Sequence, residues 1–355
     1  MSSRSHLLSL HSNRWVHVLF GLAVSGVCLW FATRELLADP EAFSKAGNAF
    51  ADAQYWTLIP IMISTGVFYW LKALRWRLLL TPIGQFKTGR DLFPFVMIGF
   101  GLNNVLPVHM GEVVRVLLFA RHARLKVSAV ASSVVLERIF DSISVLTLLS
   151  VGLVFVEGLN PTVQTNTSIV AFCVGLLVLA LLPYVFYLEL CVRFINSLLS
   201  PILPQSWLHK LQNLLEAGVT GLAAVKQPRL LAGITAISLC SWVINGFVIH
   251  LALLSFGLPN SLLISCIVLG LTAIGAAVPS APGYVGVIQL CFTMVLSVFS
   301  NDYPGIFAAS VYYHLTEYIL VTLTGIYFLN TTGKGLTAQS LESPFATHHS
   351  IVETE

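Results

Sequence analysis

Apolar residues in this chain come in long blocks separated by short polar connections. Six blocks reach the roughly 20 residues that a transmembrane helix requires: about Trp15 to Thr33, Trp56 to Leu80, Ser128 to Val156, Ser168 to Leu190, Leu230 to Phe256 and Ile306 to Leu329. Two further blocks are as apolar but interrupted. The stretch from Leu92 to Ala120 breaks at Asn103, Asn104, Pro107 and Gly111, and that from Leu262 to Ser300 breaks at Pro279, Pro282, Gly283 and Gly286. The pattern predicts an all-α polytopic membrane protein with about six full transmembrane helices plus two re-entrant helical hairpins. Unwound backbone at membrane depth survives only where protein or a wet cavity satisfies its polar groups.

Lys and Arg placement orients the blocks, because short cytoplasmic loops are enriched in both. Arg4 and Arg14 precede the first block, whereas the next connection sets Arg34 and Lys45 against Glu35, Asp39, Glu41 and Asp52. The second block ends in Lys72, Arg75, Arg77, Lys87 and Arg90, and the first interrupted stretch ends in Arg121, Arg124 and Lys126. Both flanks of that stretch therefore belong on the cytoplasmic side, as a hairpin requires. The loop at Glu157 to Thr167 and the nearly uncharged turn at Gly257 to Asn260 fall outside, and both termini fall inside. Residues 1–14 form a cytoplasmic N-terminus, 15–330 a single transmembrane domain and 331–355 a short polar tail expected to be disordered. The segment Pro204 to Val225 gathers Trp207, Leu208, Leu211, Leu214, Leu215, Val219 and Leu222 near one helical face, as an interfacial helix does.

The two halves of the domain, about 15–157 and 168–330, each read span, span, broken hairpin, span, in opposite orientations. Each break contains a Pro followed four residues later by a Gly, at Pro107/Gly111 and Pro279/Gly283. Paired interruptions in two inverted halves point to a transport site near the midplane.

Composition agrees: 56% of residues are hydrophobic, 10% are charged and the mean hydropathy is +0.83, which excludes an ordinary soluble domain. The net charge of +3 is too small and dispersed for a nucleic-acid partner. Cys28, Cys173, Cys191, Cys240, Cys266 and Cys291 lie in or beside apolar runs without Cys/His spacing, so neither disulfides nor a metal centre is expected. No phosphate-binding G-x-x-x-x-G-K-[ST] loop occurs, and no cofactor is expected.

Intramembrane polar residues are the candidates for chemistry. Glu137 and Asp141, at i and i+4 in the third span, share a helix face, and Arg138 points about 100° away. They read either as an ion-pair network clamping the bundle or as a charged lining for a lipid phosphate or a proton-coupled carboxylate. In the first hairpin Asn103 and Asn104 offer amides, His109 a titrating ring, and Glu112 and Arg115 the exit, while a half-helix N-terminus near Gly111 would present free N–H groups to an anion. His314 and Glu317 hold, in the second half, roughly the place of Glu137 and Asp141 in the first.

The runs N-N-V-L-P-V-H-M-G-E-V-V-R, V-L-E-R-I-F-D and P-S-A-P-G-Y-V-G resemble the membrane region of lysylphosphatidylglycerol synthases and the flippase-like family built from that region, from about Phe20 to Leu329. The resemblance implies an inner-membrane protein that moves an anionic phospholipid or polyprenyl-linked precursor between leaflets. It carries over Asn104, Pro107, Gly111, Glu112, Arg115, Glu137, Arg138, Asp141, Pro279, Pro282, Gly283 and Gly286 as site positions. Two departures stand out: no stretch accommodates the soluble aminoacyl-transfer domain, and His314 stands where relatives often have Arg. The rival readings are an intramembrane headgroup transferase, with Glu137 or Asp141 as general base, and a subunit of a cell-envelope assembly partnered by its enzymes or by further copies of the chain.

Overall fold

The computed structural model describes residues 3–106, 109–157, 227–278 and 280–342, with five single positions (165, 169, 172, 175 and 176) between the second and third of these stretches. All regular structure among the described residues is helical. The expected span at 168–190, the interfacial helix at 204–225, Pro107 and Pro279 lie outside them.

Five helices are long and apolar enough to cross a bilayer, with spans at Phe20–Leu37, Tyr55–Leu80, Val127–Phe155, Pro228–Ser255 and Tyr303–Thr332. They belong to α1 (Ser3–Leu37), α3 (Leu58–Leu80), α6 (Val127–Phe155), α7 (Pro228–Ser255) and α10 (Tyr303–Glu342). Both interrupted stretches fold as pairs of short helices: α4 (Phe93–Val105) with α5 (Met110–His122), and α8 (Leu262–Ala276) with α9 (Val287–Leu296). Thirteen residues rise only about 20 Å, short of a bilayer core of about 30 Å. Each pair packs on itself, as a hairpin does. Pro94 and Pro228 occupy the first turns of α4 and α7, where a missing N–H breaks no helical bond.

The interhelical contacts are reciprocal. The second spans of the two halves, α3 and α7, pack on each other; the first helix of each hairpin packs on the last span of the other half, α4 on α10 and α8 on α6. Helix directions follow from paired contacts. Gln54, just ahead of α3, donates its N–H to the Ser255 carbonyl at 2.8 Å, while Arg75 near the end of α3 donates to Ser238 near the start of α7 at 3.0 Å, so α3 and α7 are antiparallel. Lys72 and Trp76 meet Asp141 and Ser133, which makes α6 antiparallel to α3; Thr57 and Thr65 meet Tyr312 and Glu317, which makes α10 parallel to it. The last spans therefore oppose each other, as inverted halves require. Both reciprocal crossings use glycine to bring backbones together. A Cβ on Gly101 of α4 would lie 2.9 Å from the Gly325 Cα of α10, and one on Gly270 of α8 would lie 2.6 Å from the Leu149 Cβ of α6.

Three local features differ from expectation. A ten-residue amphipathic helix, α2 (Ala42–Ala51), occupies the first connection and packs against α10, with Ala42 and Ala46 buried. Asp39 anchors its entry by accepting from the Glu41 N–H and the Lys45 ammonium, and that ammonium holds the Asp39 carboxyl below its usual range. The second difference is at Asn103 and Asn104, which do not break α4: the helix runs through Val105 and resumes at Met110. Thirdly, α10 continues past Gly333 to Glu342 rather than giving way to a disordered tail, since Leu336, Ala338 and Gln339 favour helix.

Single cysteines at Lys87 and Arg124 should react with an impermeant thiol reagent from the same side of the membrane, and cysteines at Asn260 and Ser300 from the other. Labelling of Lys87 and Arg124 from opposite sides would mean that α4 and α5 together form a full span.

Candidate functional site

The elbows of the two hairpins meet. His109 precedes α5 with a left-handed backbone (φ 54°, ψ 29°), and its ring lies 5.9 Å from that of Tyr284 in the second elbow, also left-handed at φ 60°. Such backbone costs a non-glycine residue about 1 kcal/mol or more and persists only where surrounding packing imposes it. Here α1 supplies part of that packing: Ser25 Oγ accepts the Ala281 N–H at 2.9 Å.

Around these elbows lies a cavity of 780 Å³ whose wall takes residues from both hairpins and from α3, α6, α7 and α10. Phe68, Phe100, Leu269 and Val321 make much of it apolar, and Lys72, Asn103, Asn104, Glu112, Arg138, Asp141, Asn245 and Glu317 give it polar points. Asn104 donates to Thr322 Oγ1 at 3.0 Å, tying α4 to α10.

On and behind the cavity wall the charges of the spanning helices form one network. Glu137 is fully buried and takes Arg115 Nη2 at 2.8 Å and Arg138 Nη2 at 3.1 Å, with Arg75 Nη2 at 3.5 Å. Asp141 accepts from Lys72 at 2.9 Å, from Arg75 at 2.7 Å and from the Trp242 indole N–H at 2.7 Å. Rings cover the cations: Trp76 lies 3.8 Å from the Arg115 guanidinium, and Trp242 and Phe68 lie 4.7 and 4.9 Å from the Lys72 ammonium. Four cations (Lys72, Arg75, Arg115, Arg138) face three carboxylates (Glu112, Glu137, Asp141), leaving one positive charge in excess.

The cations are not equivalent. Lys72, Arg75 and Arg115 are at most 1% exposed, whereas the Arg138 side chain is 39% exposed and lies on the cavity wall. Each carboxylate that Arg138 touches in α6 keeps other cations without it. Arg138 therefore carries the excess charge in the position where a ligand can use it.

In the second half His314 is a strut. Its Nε2–H donates to the Gly283 carbonyl at 2.6 Å, which leaves Nδ1 to accept from the Gln289 amide at 3.1 Å, and Gln289 Oε1 accepts the Gly286 N–H at 2.8 Å. Gly283 (φ 76°) and Gly286 (φ 86°) supply the left-handed turns of this elbow. Among the described residues no cluster of three His, Cys, Asp or Glu side chains is arranged to hold a metal ion.

The structure thus brings Asn103, Asn104, His109, Glu112, Arg138, Asp141, Gly283, His314 and Glu317 to one cavity. Glu137 and Arg115 stand behind it, and Arg138 reaches back to Glu137 and Asp141 instead of turning away from their face. Gly111 is the second residue of α5, in the half-helix N-terminus expected there, and a Cβ on it would meet Asn103 Oδ1 at 2.6 Å. Pro282 is in a short 3-10 turn and Gly286 faces α1, both off the wall. Sequence reasoning assigned Lys72 and Arg75 to a cytoplasmic flank, but both are interior residues of the network. Their spacing inside an apolar run was a signal; their partners, 66 and 69 residues later, were not visible. Tyr69, Tyr313 and Trp242 are further wall residues without a motif, and Tyr284 lies inside the P-S-A-P-G-Y-V-G run but was not singled out.

A family model described as the lysylphosphatidylglycerol synthase TM region matches residues 18–325. Among curated proteins, UPF0104 membrane protein MJ1078 of Methanocaldococcus jannaschii is 26% identical over 224 residues, which is 63% of this chain and 91% of that protein. No solved structure matches.

Removing one partner from a buried ion network leaves an uncompensated charge, costing about 3–5 kcal/mol. Glu137→Gln, which strands Arg115 and Arg75, should therefore lower the midpoint of thermal unfolding in detergent by about 10 °C or lead to degradation in the membrane. Adding Arg115→Met to that change should recover a large part of the loss; no recovery would show that the pair is not coupled as the geometry requires.

Proposed function

The chain belongs to the family of the lysylphosphatidylglycerol synthase transmembrane region, and from that membership we propose that it moves an anionic lipid between the leaflets of the cell membrane, with both termini in the cytoplasm. The headgroup passes through the cavity where the hairpin elbows meet, and the lipid is an anionic phospholipid or a polyprenyl-linked precursor. The observation that carries this reading is the partly exposed Arg138 side chain on the wall of a 780 Å³ cavity among the membrane-spanning helices. A guanidinium offers phosphate two parallel N–H donors, and the volume lies within the usual range for small-ligand sites. It suits a headgroup whose acyl chains remain in the bilayer.

The rival transferase needs a free general base. The two carboxylates assigned to that role are engaged, since Glu137 is off the wall and holds Arg115 while Asp141 holds Lys72, Arg75 and the Trp242 N–H; among the described wall residues Glu317 is the carboxylate a transferase would have to use. Transport requires no such base. Reciprocal packing of inverted halves around a midplane cavity supports alternating access by rocking of the hairpins against the long spans.

Purified protein in liposomes should speed leaflet exchange of a labelled anionic lipid while forming no new covalent lipid species. Arg138→Gln should slow exchange at least tenfold with thermal stability within a few degrees of the parent, because Glu137 and Asp141 retain other cations. Arg138→Lys should also be slowed, since an ammonium lacks the planar two-point contact. A modified lipid that disappears in Asp141→Asn would favour the transferase instead.

A further inference from the structure

Glu317 differs from the other acidic side chains at bilayer depth. It lies on the cavity wall, yet no described Lys, Arg or His side chain forms an ion pair with it; its recorded partner is the hydroxyl of Thr65, which donates to its Oε1. Glu137 and Asp141, by contrast, each hold at least three cationic groups. An ionised carboxylate in an apolar interior is costly without a counter-charge.

The groups facing Glu317 supply none. From α3 come Thr65 and Tyr69 and from α10 itself Tyr313, all uncharged, and the second elbow and α7 add the uncharged Tyr284 and Asn245 to the same cavity wall. The charged residues sharing the cavity bind one another: Lys72 is taken by Asp141, and Arg138 by Glu112, Glu137 and Asp141. His314, one turn back, has both ring nitrogens committed to Gly283 and Gln289. An anionic headgroup at Arg138 adds to the cost of ionising Glu317, because the two negative charges would then share one cavity, and a proton on Glu317 removes that repulsion.

We propose that Glu317 binds one proton when an anionic headgroup occupies the cavity and releases it when the headgroup leaves, so that lipid and proton cross together. The carboxylate takes the proton from water on the loading side and returns it to water on the other; no bond of the lipid is broken and no electrons are transferred. This rests on the transport reading above. One proton per singly charged headgroup makes the step electroneutral, so a pH difference drives lipid accumulation toward the alkaline side.

The test uses the full chain in liposomes with labelled phosphatidylglycerol and, separately, a labelled polyprenyl phosphate, under a gradient of about one pH unit. Wild type should bring phosphatidylglycerol to about a tenfold leaflet asymmetry, the ratio set by one proton per lipid at that gradient. Glu317→Gln, which keeps an acceptor for Thr65 but takes up no proton, should leave the distribution even. Exchange without asymmetry in wild type, or equal asymmetry in Glu317→Gln, overturns proton coupling and leaves transport standing. No wild-type exchange of either probe overturns transport and this proposal with it. If the variant fails to insert, a hydrophobic carbodiimide, which adds to protonated carboxyls, decides on wild type. Adducts at Glu317 that stop exchange support the proposal, and adducts confined to other carboxyls overturn it.

Discussion

Everything in this fold is arranged around the ion network at the middle of α6. Glu137 and Asp141 begin ten and fourteen residues into that helix, about 15 and 21 Å from its start by helical rise, and neither could remain ionised there without the guanidinium and ammonium groups that surround it. Those groups come from α3 and α5, and the indole that completes Asp141 comes from α7. The network thus fixes three helices on α6 and, through α7, ties the second half of the chain to the first. Desolvating its buried members offsets much of what their mutual attraction contributes, so its geometry constrains the packing more surely than it adds stability.

The halves are alike in packing and unlike in chemistry. Reciprocal contacts place α4 on α10 as α8 is placed on α6, and each elbow has one left-handed non-glycine residue, His109 or Tyr284. Where the first half holds charges, however, the second holds the neutral chain from Gly283 through His314 and Gln289 to Gly286. One wall of the cavity is therefore cationic and set by ion pairs, while the other is set by directional hydrogen bonds and leaves a single carboxylate in Glu317. An inverted repeat supplies the shape of the cavity; the divergence of its side chains gives that cavity polarity.

Much of this was legible in the sequence because membranes impose simple rules. The length of apolar runs gave the five described spans, and Pro and Gly marked both hairpins. The Asn pair misled: amide side chains are tolerated in the last turn of α4 when Asn104 finds Thr322. Charge counting misplaced Lys72 and Arg75 for a physical reason, since a cation near the end of a hydrophobic run reads as a flank whether it faces water or a buried carboxylate. The short helix α2 was missed, although amphipathic, because ten residues fall far below the length of apolar sequence that marks a span. Family membership, carried by the motifs around the first hairpin and the third span, agrees with the match over residues 18–325.

The network also bears on how the protein is made. Arg75 and Lys72 emerge 66 and 69 residues before Asp141, and at synthesis rates of about 5–20 residues per second that gap lasts about 3 to 14 s. During it α3 carries two cations in its second half, where each costs less than the roughly 2.5–3.5 kcal/mol it would cost at the centre of a lone transmembrane helix. The helix is therefore a poor candidate for immediate release into lipid, and the insertion machinery has to shelter it until α6 brings the carboxylates. Biogenesis of this protein is set by the arrival time of a counter-charge as much as by hydrophobicity.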